Sequence, residues 1–167
     1  MSVLKTISKE SIPRALDKAE RYRLLNEPFF AESICLDVLL VSPDDQQALT
    51  IYVLALTDQF NLGVEDQGAA RASRAIARMT SEYARAYYTG IVSERRAAAT
   101  LHRGGYGAGS AAWHDIQDAI AAYEKADALQ TDDGNDDAIL RYNTCLRLIE
   151  VHRLRAPTPE TGELPLE

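Results

Sequence analysis

Residues 31–58 read AESICLDVLLVSPDDQQALTIYVLALTD, and this stretch decides the fold. Apolar side chains recur every three or four positions on both sides of its centre. They stand at Ile34, Val38 and Val41, then at Leu49, Tyr52, Val53 and Leu56. That is the spacing of a helix burying one face. Between the two runs stands Ser42-Pro43-Asp44-Asp45. Proline lacks an N–H and its ring clashes one turn back, so the first helix stops there. Asp44 and Asp45 can accept from the unpaired N–H groups that open the second helix. Helices joined by so short a turn pack antiparallel.

Working outward, Ser11-Ile12-Pro13 opens a first helix that runs to about Leu25, with proline in the turn where its missing N–H does least harm. Pro28 starts the second helix, Phe29 to Val41. The third covers Asp45 to about Phe60, and Asn61-Leu62-Gly63 stops it. A fourth, about Glu65 to Met79, sets Ala72, Ile76 and Met79 on an apolar edge and Arg71, Arg74 and Arg78 on an adjacent face. Thr80 and Ser81 are cap-type residues for a long fifth helix ending near His102, with Tyr83, Tyr87, Tyr88, Ile91 and Val92 along it. Gly90 lies inside this helix. Glycine there costs about 1 kcal/mol relative to alanine and is best tolerated where another helix approaches closely.

Residues 103–110, RGGYGAGS, read as a loop. Ser110 is expected to cap a sixth helix running to about Gln130, with Trp113, Ile116, Ala119, Ile120, Tyr123 and Ala126 on its core edge. Thr131-Asp132-Asp133-Gly134 makes a second acidic turn, and a seventh helix spans about Asn135 to Leu154. Residues 1–10 read as a flexible lead and 156–167 as a disordered tail, leaving 11–155 as one helical domain.

The 167 residues, 46% of them hydrophobic, suffice for a real core. A net charge of −7 argues against a general nucleic-acid binder. No run approaches the ~18 apolar residues of a membrane span, and no apolar stretch follows the start as a secretory signal would require. Cys35 and Cys145 lie in separate helical patterns. They read as semi-buried thiols of a cytoplasmic protein rather than a disulfide framework. Charge is uneven: residues 1–70 carry −5, 71–103 carry +5 and 104–167 carry −7. Either neighbouring helix faces complement one another, or the basic strip receives an acidic peptide or another anion.

Chemistry-bearing patterns are sparse. Gly105-x-Gly107-x-Gly109 leads into a helix, where free N–H groups attract anions. However, no strand precedes it and no Lys-Ser or Lys-Thr follows, so a connector or mobile flap is the expectation. His102, His114 and His152 lack ligand spacing. Asp132, Asp133, Asp136 and Asp137 surround Gly134 without the alternation and closing Glu of a calcium loop, and capping accounts for them. Glu94 beside Arg95 and Arg96 has the residue types of an acid/base site, but exposed helix charges look the same. The expectation is no catalytic residue, no metal and no cofactor.

A pattern recurs: a small residue, a larger side chain four positions on, and another apolar residue three further. Ala31-Cys35-Val38, Ala72-Ile76-Met79 and Ala119-Tyr123-Ala126 all fit. Pro43 and Thr131 open turns at the same distance after Ala31 and Ala119. Small residues let paired helices touch, and such units bury their faces by stacking.

This resembles the tetratricopeptide repeat family, whose unit is a helix-turn-helix of ~34 residues. Ser11 to Asp45 is the nearest match, with Ala19, Tyr22, Ala31 and Pro43 in place. Residues 116–126, IQDAIAAYEKA, look like a second helix of such a unit, and Gly90 matches a small-residue position of the first. The resemblance covers residues 11–155 as three helix pairs plus a capping helix. It departs at the longer turn around Asn61–Gln67, at the long fifth helix with its glycine loop, and at the unpaired last helix.

The resemblance implies an all-α, right-handed superhelical stack of about seven antiparallel helices with a concave groove. That groove would be lined by Leu16, Glu20 and Arg23, then Gln47, Thr50, Leu54 and Asp58, then Tyr87, Ile91, Glu94 and Arg95, with Arg141 and Asn143 joining from the last helix. Arginine suits bidentate capture of a carboxylate, and tyrosine gives rigid contact area. The expected function is a non-catalytic adaptor that holds a peptide or helix of a protein partner, an acidic one among the candidates, in this groove. An alternative is a self-assembling homo-oligomer, motivated by the incomplete last repeat. A weaker one is an anion- or phosphate-binding enzyme using the basic helix and the glycine loop.

Overall fold

The computed structural model describes residues 2–158. Among them lie seven α-helices and no strand: α1 (Ile12–Leu24), α2 (Pro28–Val41), α3 (Gln46–Thr57), α4 (Glu65–Ile76), α5 (Glu82–Arg103), α6 (Ala108–Leu129) and α7 (Asp137–His152). Each helix packs against the next in the chain. α1 also touches α3, and α3 touches α5. α1, α3 and α5 therefore lie side by side as one layer of alternate helices, bridged by α2 and α4. No helix among the described residues is long and apolar enough to cross a membrane.

The Pro-Asp turn works as its chemistry demands: Asp45 accepts from the Ala48 N–H at 2.8 Å and caps α3. Ser81 caps α5 in the same way, accepting from the Ala84 N–H at 3.2 Å. Other boundaries differ from expectation. α3 stops at Thr57 rather than Phe60, because Phe60–Leu62 tightens into a 3-10 turn that drives the Phe60 ring inward before Gly63 reverses the chain at φ +79°. α4 ends at Ile76, three residues short of Met79. α6 begins at Ala108, so Ser110 is not its cap; Gly107, at φ +79°, takes that place. α7 starts at Asp137 rather than Asn135. It ends where Arg153 turns left-handed and the Leu154 N–H returns to the Ile149 carbonyl at 2.9 Å.

The lead is not free throughout. Ser2–Ser8 has no regular secondary structure, yet Ile7 packs against the core. Arg155–Thr158 also lacks regular structure. The rest of the expected tail, 159–167, lies outside the described residues.

Burial follows the repeat pattern. Leu16, Cys35, Val38, Leu49, Val53 and Ile76 lie in one cluster spanning α1 to α5. Ile91, Ile116, Tyr123 and Cys145 lie in a second that joins α5, α6 and α7. α5 and α6 form the most extensive helix pair. Their contact is lined by small residues, Gly90 and Ala97 on α5 and Ala112 and Ala119 on α6, which lets the backbones approach.

Candidate functional site

The layer of alternate helices carries a polar ladder. On α3, Gln47, Thr50, Leu54 and Asp58 follow helical spacing, which sets them on one face. Asp58 caps the C-terminal end of α3 and receives two guanidinium groups. Arg23 of α1 donates Nε–H to Oδ2 at 2.8 Å, and Arg95 of α5 donates Nη1–H to Oδ1 at 2.6 Å. Arg23 also donates to Glu20 at 3.3 Å. One carboxylate on the middle helix thus ties both flanking helices to it.

A second set lies one step along α5. Glu94 is only 6% exposed. It accepts from the Tyr123 hydroxyl of α6 at 2.6 Å and from Arg141 Nη1 of α7 at 3.0 Å. A buried carboxylate without such partners would be costly. Burial, and then the adjacent Glu94 charge, push the Tyr123 hydroxyl far above the usual phenol range, so it stays protonated and donates. Gly90 makes this possible: a Cβ there would lie 2.6 Å from the Tyr123 ring.

Of the residues expected on the groove, Glu20, Arg23, Asp58 and Arg95 meet in one set and Glu94 and Arg141 in a second. Glu94 is itself buried, and three further positions are corrected. Leu16 and Ile91 are buried in the two clusters and do not face solvent. Their apolar side chains point between helix layers, where the core claims them. Asn143 lies apart from Arg141. It lines a cleft of about 300 Å³ between α6 and α7 with Glu124, Asp127, Ile139 and Tyr142, on the other flank of α7. Two residues apart on a helix means facing nearly opposite ways. Tyr87 is half-buried in an aromatic group, 5.8 Å from Tyr83, 5.2 Å from Tyr88 and 5.8 Å from Tyr123 between ring centroids. Leu54 is half-buried against the second cluster, and Gln47 is exposed.

What the face offers is mainly Arg95 and Arg141, whose side chains remain 30% and 33% exposed while each is held by an acid. A guanidinium has five N–H donors, so neither acid uses all of those its arginine carries.

The basic central segment is largely matched inside the fold. Arg71 pairs with Glu32, Arg78 with Asp44, Arg95 with Asp58, Arg96 with Asp66 and Asp115, and Arg103 with Glu65. Each of these acids lies outside residues 71–103, so neighbouring helix faces complement one another. Arg95 and Arg96 point to different helices, and Glu94 pairs with neither. These three do not converge on one spot, and the glycine loop is exposed away from Glu94's partners.

Cys35 and Cys145 are free, fully buried and in different clusters. Burial pushes each thiol up to about 12. His102, His114 and His152 are all exposed, and no group of three His, Cys, Asp or Glu side chains among the described residues stands ready to hold a metal.

Sequence reading placed Tyr123 in the core but missed its hydroxyl as the donor to Glu94. The signal was Gly90, one helical turn before Glu94 on the same face. No protein-family model matches this chain, nor does any curated protein or solved structure.

Proposed function

We propose that this chain is a non-catalytic, tetratricopeptide-like scaffold that binds a peptide or helix of a protein partner on the face formed by α1, α3, α5 and α7. The observation that carries this reading is the ladder itself. Asp58 and Glu94 hold Arg95 and Arg141 in fixed, partly exposed positions on adjoining helices. An arginine already oriented by an acid loses less freedom when it takes a second carboxylate. Tyr87 supplies rigid area beside them. The ligand chemistry that fits is an extended or helical segment bearing one or more carboxylates. The reading places the protein in the cytoplasm and requires no cofactor.

The test is a pull-down from cell extract at low and high salt, comparing wild type with Arg95→Ala. Alanine is chosen because Asp58 keeps Arg23. A partner retained by wild type, weakened by salt and lost with the substitution supports the reading. No partner in any arm overturns it.

A second reading is favoured by α7, where Leu140, Leu146 and Val151 are exposed and no further helix among the described residues covers them. Such an edge suits a second copy of the chain. Sedimentation showing a monomer at high micromolar concentration would remove this reading.

A further inference from the structure

On the opposite side of the molecule, the outer face of α2 lies beside a row of arginines on α4. Phe29, Leu36 and Leu40 follow one another at helical spacing and are 66%, 45% and 63% exposed. Next to them stand Arg71 and Arg74 on α4 and Arg78 just past its end. Ion pairs link the two sides: Arg71 reaches Glu32 near the start of α2 and Arg78 reaches Asp44 just beyond its end. Between them is a groove of about 360 Å³ with Leu36, Leu39, Tyr52 and Ala75 as its apolar floor. Arg71 is fixed, lying over the Tyr52 ring and bonded to its hydroxyl. Arg74, midway along the row, is exposed and has no ion-pair partner among the described residues.

We infer that this α2/α4 groove is a second docking surface, separate from the ladder face, and that its occupant is an acidic amphipathic helix of a partner protein. The apolar stripe spans about three turns, or ~16 Å. Anchors at i, i+3 or i+4, and i+7 of a docked helix cover about 10 Å, so the stripe is long enough to take them. A carboxylate on the flank of such a helix meets Arg74, the one member of the row not already matched. Apolar residues alone would fit many partners; the arginine beside them selects for acid and against base.

The test uses full-length protein and a synthetic helical peptide of about 14 residues, with leucines on one stripe, glutamates on its flank and a fluorescent label. A twin peptide carries lysines for the glutamates. Anisotropy titrations are paired with backbone amide shifts of the labelled protein. Leu36→Ser and Arg74→Glu alter exposed side chains, so the fold is kept and circular dichroism checks it. The acidic peptide should bind wild type and shift α2 and α4 amides. Its affinity should fall at high salt and drop about tenfold or more in each variant. Equal binding of the lysine peptide, undiminished binding in Arg74→Glu, shifts confined to α1, α3 and α5, or no binding would each overturn the proposal. So would a concentration-dependent dimer abolished by Leu36→Ser, which would make a second copy the occupant.

Discussion

Replacing Gly90 by alanine should destabilise the protein, against the trend for helix interiors. The new methyl carbon would stand 2.6, 2.8 and 2.9 Å from three ring carbons of Tyr123. Ordinary carbon contacts are about 3.5–4 Å, so something must move by about 1 Å. The ring has nowhere to go: Tyr123 is fully buried and its hydroxyl is held to Glu94 at 2.6 Å. Forcing α5 and α6 apart costs about 1–3 kcal/mol. Swinging the ring instead gives up a hydrogen bond to a charged group, about 1.5–3 kcal/mol. The propensity gain of alanine over glycine returns only about 1 kcal/mol. The balance is a loss of up to ~2 kcal/mol, centred on about 1, which is about 2–4 °C in Tm per kcal/mol for a chain of this size. Thermal and urea unfolding followed by circular dichroism measure it. In a Tyr123→Leu background the clash is gone, and Gly90→Ala should become neutral or stabilising. A Gly90→Ala protein more stable than wild type would refute the packing argument. So would an identical loss in both backgrounds.

Arg141→Ala leaves Glu94 with only Tyr123 and should cost about 1–2 kcal/mol, reduced from the fully buried case by the exposure of Arg141; urea midpoints report it. Asp58→Ala leaves Arg95 without its acid and Arg23 with Glu20 alone. A loss of about 1–2 kcal/mol, and a larger loss at low salt than at high, is expected from denaturation at two ionic strengths. Cys35 and Cys145 should resist alkylation at pH 8 in the folded protein and react on unfolding, which mass spectrometry follows. Their raised folded values favour the thiol over the thiolate. The stability they contribute is present below the unfolded thiol value and is lost as pH rises from about 9 toward about 12.

The helices were legible because periodicity and turn chemistry agreed. Asp45 behind Pro43 had to cap a helix, and Gly63 had to reverse one. Boundaries failed where tertiary packing took over. Phe60 reads as the last turn of α3 by period, but its ring fits against Gly68, where a Cβ would stand 2.7 Å away, and this pulls the chain into a tighter turn. Nothing local marks that demand except Gly68 itself. In the ladder, Arg23, Asp58 and Arg95 were legible as residues of one face, but not as partners, because the distance between α1, α3 and α5 is set by packing. Ile91 was misplaced for a related reason. On a helix buried on two sides, the groove face and the core face are neighbours, and a position one residue off changes sides. The uneven charge was visible at once; which acid each arginine meets depended on the helix order.

The most direct test of the ladder face as a partner-binding surface is site-specific photo-crosslinking from position 47, an exposed residue on the same face of α3 as Asp58, with position 121 on the outside of α6 as control. A crosslinked polypeptide from position 47 that is absent from position 121 and lost with Arg95→Ala is the predicted result. Crosslinks of equal strength from both positions, or none from position 47, would contradict it.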